Sequence, residues 1–144
     1  MVIELSPGYG ESLGHFARVT SAKWIDQNLV ASGGWDKNIL IWDIRTAAVA
    51  TALNGPHVRG DSIDVCGDMI LAGSYHHQDQ IQLFSISEGR QTDSITVNSR
   101  PPMLPYIAGF SKYGDRSKFV VAGSGLDKLL VYNVADRTQI GETA

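Results

Sequence analysis

The chain has 144 residues, of which 43% are hydrophobic and 19% charged, with a formal net charge of −3; that balance excludes a disordered chain and suits one soluble globular domain. Its Lys and Arg are scattered, which argues against nucleic acid as a partner, because such surfaces cluster cations to replace counterions. A single cysteine, Cys66, excludes an intrachain disulfide and favours a reducing compartment, and no apolar run reaches membrane-spanning length.

Fifteen glycines and short apolar runs point to an all-β chain with many turns. Val2 to Leu5 reads as a short strand, and MVIEL lacks the basic start and long apolar core of a signal peptide. An intracellular protein is therefore expected, with the cytoplasm preferred over the nucleus. The loop that follows contains Gly8, Gly10 and Gly14, a near miss to the dinucleotide fingerprint. Its last spacing is one residue too long, and a strand rather than a helix follows.

Next comes a three-stranded meander: Val19 to Trp24, Leu29 to Ser32 and Ile39 to Ile44, with Gly33, Gly34, Trp35 and Asp36 as the turn between the last two. Ala47 to Leu53 adds a fourth, outer strand. The polar residues of the meander need partners, and a hydrogen-bonded chain from the Trp42 indole to Ser32, His15 and Asp36 would satisfy all four.

The layout then repeats. From His15 to Trp42 is 27 residues and from His57 to Phe84 is again 27, giving a period of 42. The second copy reads as strands at Ser62 to Val65, Met69 to Ser74, Gln80 to Ile86 and near Asp93 to Val97. The proline-rich run from Ser99 to Pro105 reads as a connection unable to join a ladder. The third copy reads as Tyr106 to Phe110, Phe119 to Ser124, Leu129 to Val134 and a last strand near Thr138 to Ile140.

Gly14-His15, the Ser-Gly-Gly-Trp-Asp turn and the closing Trp42-Asp43 resemble the WD-repeat family. The second copy has Gly55-Pro56-His57 and Phe84-Ser85 at those places. The third has Tyr132-Asn133 and no matching histidine. The resemblance implies a WD-repeat β-propeller, here as three four-stranded antiparallel blades in a partial, open ring, at about 15–53, 57–97 and 106–141. Residues 1–14 would be an outer strand and loop of a preceding blade. Three blades leave an apolar face bare at each end, so a piece of a larger propeller is expected, or self-association through the end blades.

Several residue groupings invite a chemical reading instead. His15, Ser32 and Asp36 are the residue types of a hydrolytic triad, but a strand serine bound to an indole has neither an open pocket nor a nucleophile-elbow sequence. His76 and His77 are adjacent on an extended segment and point to opposite sides, so with Cys66 they make no metal-ligand spacing. Arg59-Gly60-Asp61 matches an extracellular adhesion tripeptide, which the lack of a signal sequence makes a chance match. The expected function is a non-catalytic scaffold for other proteins, with no cofactor, no metal, no nucleic acid and no membrane. Its partner-binding candidates are Trp35, Arg18, Tyr75, His76, His77 and Leu126, the last taken as the third-copy match to Trp35. The alternative is a ligand-binding or enzymatic propeller with a site at the central channel, for which Arg18, Asp61 and Asp64 are the polar residues at hand.

Overall fold

A computed structural model describes residues 14–143; the expected strand at Val2 to Leu5 lies outside them. Twelve strands form three four-stranded antiparallel sheets, each a simple meander in chain order, and the described residues contain no helix. The first sheet holds β1 (Val19–Trp24), β2 (Leu29–Gly34), β3 (Asn38–Asp43) and β4 (Ala48–Asn54). In the second are β5 (Ile63–Cys66), β6 (Met69–Gly73), β7 (Ile81–Ser85) and β8 (Arg90–Ile95), and in the third β9 (Leu104–Phe110), β10 (Lys118–Ser124), β11 (Leu126–Asn133) and β12 (Gln139–Thr143). The sheets meet through their opening strands, with β5 against both β1 and β9. They are stacked side by side as blades in an open run.

Strand alternation explains the stacking. Successive side chains point to opposite faces, so a strand between two sheets needs apolar residues at both parities. In β6, Ile70 and Ala72 join Ile39, Ile41 and Leu53 of the first sheet, whereas Leu71 joins Phe119, Val121 and Leu130 of the third. In β7, Phe84 faces the first sheet and Ile81 and Leu83 the third. Polar pairs supplement this packing: Ser21 Oγ and Lys23 Nζ of β1 each donate to Asp61 at 2.8 Å, and Arg137 Nε donates to Asp93 at 3.1 Å.

Three expectations are corrected. Pro105 lies inside β9, paired with Gly123 beside a register shift, and β9 is an edge strand, the setting in which a sheet tolerates proline. The outer strand of the second sheet runs Arg90–Ile95, earlier than the Asp93 to Val97 read from the sequence, because apolar Val97 is buried in the core beyond the ladder instead of pairing in it. Leu126 opens β11 instead of occupying a turn: Gly123 pairs with Leu126, leaving only Ser124 and Gly125 to reverse the chain, and Gly125 takes the positive φ of 83° that so tight a reversal requires.

Pairing register aligns the three sheets residue by residue. Val30 faces Trp42, Ile70 faces Phe84, and Phe119 faces Tyr132. Two residues further along β2, β6 and β10 lie Ser32, Ala72 and Val121; five residues along lie Trp35, Tyr75 and Ser124.

Candidate interaction surface

His15, Ser32, Asp36 and Trp42 are joined in one chain of hydrogen bonds. Trp42 Nε1 donates to Ser32 Oγ at 2.7 Å, Ser32 Oγ is 2.8 Å from His15 Nε2, and His15 Nδ1 is 2.7 Å from Asp36 Oδ2. With the imidazole proton on Nδ1, each donor finds an acceptor in order: indole to hydroxyl, hydroxyl to imidazole, imidazole to carboxylate. Asp36 also accepts the backbone N–H groups of Phe16 and Asn38, at 3.2 and 3.3 Å, which ties the segment before β1 to the β2–β3 turn. Ser32 is buried within β2 and already holds the indole, so its oxygen is committed to the fold.

In the second sheet the matching positions are Ala72 and Phe84, both in the apolar core. No serine is there to receive an imidazole, and His57 turns elsewhere. Its ring lies edge-on between Trp35, at 6.3 Å between centroids, and Tyr75, at 6.4 Å.

That placement is part of a strip crossing the mouths of all three sheets. The backbone N–H of Trp35 donates to the carbonyl of Arg18 at 2.9 Å, and that of Tyr75 to the carbonyl of His57 at 2.8 Å, so equivalent turns present the two rings. Gly34 makes the first approach possible, because a Cβ there would lie 1.9 Å from the Arg18 carbonyl oxygen. The Arg59 guanidinium carbon sits 4.6 Å from the Trp35 ring centroid and 4.3 Å from that of Tyr75; that of Arg18 lies 5.2 Å from Trp35. Tyr75 continues to Tyr106 at 5.3 Å, in the third sheet. Trp35 and Tyr106 each keep 40% of their surface exposed.

The strip is electropositive. Burial, and then the charges of Arg59, Lys37 and His76, push the His57 imidazole below its ordinary value, so the ring is neutral at pH 7. The neighbouring Tyr106 hydroxyl draws Tyr75 down, and Tyr75 in turn pushes Tyr106 up. Among the described residues none of Arg18, Lys37 and Arg59 pairs with a carboxylate, and Arg59 Nε is buried without an acceptor.

The remaining candidates are not among the stacked groups of this strip, although His76 adjoins it after Tyr75. His76 and His77 are exposed in the β6–β7 loop with their rings 6.4 Å apart, and no group of three metal-ligating side chains occurs among the described residues. Leu126 packs against the core between the second and third sheets. Its place by register belongs to Ser124, which a count of residues from the turn aspartate misses. Asp61 is held by Ser21 and Lys23. Asp64 accepts the Phe110 N–H at 2.8 Å and Lys112 Nζ at 2.6 Å. Both carboxylates therefore join blades instead of converging on a ligand. Arg59, His57 and Tyr106 were missed as site residues because the rings they meet, Trp35 for the first two and Tyr75 for the third, lie far from them in sequence. The available signal was the Gly-His-like Gly55-Pro56-His57, whose histidine has no serine to bind.

No family model matches the chain. A ribosome biogenesis protein WDR12 homolog from Chlamydomonas reinhardtii is 38% identical over 48 residues, which are 33% of this chain and 11% of that protein. The match thus spans about a tenth of the relative's length. Two solved structures are similar in fold. The computationally designed Ika4 protein superposes with a TM-score of 0.75 over 99% of this chain and 80% of its own, and the computationally designed Ika8 protein with 0.71 over 90% and 37%, both at 18% identity. At that identity the likeness shows the arrangement of strands alone, and with the short sequence match it gives loose support to a WD-repeat propeller.

Proposed function

We propose that the chain is a protein-interaction scaffold that engages its partner through the strip Arg18, Trp35, Arg59, Tyr75 and Tyr106. The observation that carries this reading is Arg59 held between the Trp35 and Tyr75 rings at the junction of the first two sheets, with Trp35 still 40% exposed. Trp, Tyr and Arg are the side chains that dominate binding energy at interfaces, since they cover large areas at small entropic cost. The blades at about 15–53, 57–97 and 106–141 form the frame, as part of a larger ring or joined to further copies. The curated relative is named for ribosome biogenesis, and work inside the cell is proposed for this chain by that likeness. A catalytic or channel-ligand role has no comparable support, because Asp61 and Asp64 are occupied by neighbouring blades.

The test is affinity capture with the wild-type chain and with Trp35→Ala and Arg59→Gln, using Tyr113→Ser, a change at a distant exposed ring, as the control. A partner retained by wild type and control but lost from both strip variants supports the reading. Equal retention by all four forms contradicts it.

A further inference from the structure

We infer that the strip recognises an acidic peptide segment, in which an Asp or Glu carboxylate pairs with Arg59 and Arg18 while an adjacent aromatic or aliphatic side chain covers Trp35 and Tyr75. This rests on the reading of the strip as the partner-binding surface and names the partner's chemistry.

The Arg59 guanidinium lies over two rings, 4.6 Å from the Trp35 centroid and 4.3 Å from that of Tyr75, so π systems pack against it. A guanidinium stacked in this way offers a ligand its N–H edge, whose fork geometry matches a carboxylate. Arg45 is paired with Asp43, Arg90 with Glu88 and Arg137 with Asp93, whereas Arg100 and Arg116, like Arg18 and Arg59, show no carboxylate partner among the described residues. What sets Arg18 and Arg59 apart is that both lie over one indole, 5.2 and 4.6 Å from its centroid. Lys37 lies near enough for its charge to act on His57 and adds to the positive potential there.

Charge and size select a peptide over a polynucleotide. The chain as a whole carries −3, so a long polyanion would meet net repulsion beyond the strip. A short acidic segment would not. The rings on either side supply apolar area, which favours a carboxylate with a bulky neighbour over a free anion.

The experiment is fluorescence polarisation of the full chain with three labelled peptides: Ac-GEDFEDG, its amide analogue Ac-GQNFQNG, and Ac-GEDFpSDG bearing a phosphoserine, with oligo-dT as a fourth probe. The expected result is that the acidic peptide binds at least about tenfold more tightly than the amide analogue, as charge-assisted hydrogen bonds imply. Arg59→Gln should erase that ratio while Trp35→Ala weakens both peptides alike, and added salt should narrow the gap. Equal binding of the acidic and amide peptides, both lost in Trp35→Ala, would overturn the charge preference and leave the interaction surface standing. No binding of any peptide also overturns the inference, and the capture experiment then judges the surface independently. Tighter binding of the phosphoserine peptide or of oligo-dT assigns the cations to phosphate and likewise rejects it. Circular dichroism melting of each variant confirms that the folded chain is being compared.

Discussion

The indole N–H of Trp42 ends on Ser32 Oγ, 2.7 Å away, and the residues that match this pair in the other two sheets are Phe84 with Ala72 and Tyr132 with Val121. The same cross-strand position therefore has a polar solution in one sheet and apolar solutions in the others. Removing one partner of the polar version strands a buried donor or acceptor, whereas replacing both with the apolar version of similar shape leaves none. Ser32→Ala alone is expected to cost about 1–3 kcal/mol. The double change Ser32→Ala with Trp42→Phe should cost less than the sum of the singles. A urea-denaturation cycle checks this, and strict additivity would mean that the two side chains are not coupled.

Asp36 closes the other end of the chain, with His15 Nδ1 at 2.7 Å and two backbone N–H groups on its oxygens. Asp36→Ala leaves all three donors without their acceptor. The expected loss is about 1–3 kcal/mol by chemical denaturation, larger than for Asp115→Ala in an exposed loop.

These four residues were legible in the sequence because the meander that contains them is local, and spacing alone brings them together. The strands were legible for the same reason, since alternation and turn residues are short-range signals. Register was not. The β6–β7 loop is longer than the β2–β3 turn and the β10–β11 turn is shorter, so counting from the aspartate assigns Leu126 to a place that hydrogen bonding gives to Ser124. Arg59, Tyr75 and Tyr106 meet only when three sheets stack, and no local pattern announces that.

Gly34 lets β2 run close to the Arg18 carbonyl. A methyl group there would sit 1.9 Å from that oxygen and 2.8 Å from its carbon, both backbone atoms that cannot swing aside. Gly34→Ala should destabilise by about 1–3 kcal/mol and displace Trp35, whose N–H holds the same carbonyl. Gly141→Ala, where the nearest atom is 4.0 Å away, is the control expected to be nearly silent.

The face of the third sheet turned away from the second carries Leu129, Val131, Val120 and Ile107. Register places Leu129 and Val131 where the other sheets have Ile39 and Ile41, and Ile81 and Leu83, all of which are buried, whereas Leu129 and Val131 are only half-buried and Ile107 is 56% exposed. An apolar surface of this kind drives association or binds hydrophobic dyes. Sedimentation of the chain should show self-association that Val131→Glu reduces. A dye-silent monomer in both forms would contradict the expectation.

Acidification acts on His57. Its folded value is lowered from 6.5, first by burial and then by Arg59, Lys37 and His76, so below 6.5 the unfolded chain binds the proton more readily than the folded one. The stability that the neutral ring contributes is complete above the unfolded value and is lost as pH falls through the lowered folded value. His57→Gln should accordingly shrink the drop in melting temperature between about pH 7.5 and about pH 5. An unchanged drop would assign the pH dependence to other groups.

Trp35 separates binding from folding most directly. Its ring touches Arg18, Arg59 and His57 but stays 40% exposed, and it belongs to neither apolar core, so its removal takes away contact area for a partner more than it opens a cavity. Truncating such an aromatic anchor costs about 2 kcal/mol or more of binding. Thermal denaturation of Trp35→Ala should show a small shift beside that of Gly34→Ala, while capture of the partner falls sharply. The opposite pattern, a large loss of stability with binding intact, would make Trp35 a clamp that holds Arg59 and Arg18 in place, and the interaction surface would have to be sought away from the strip.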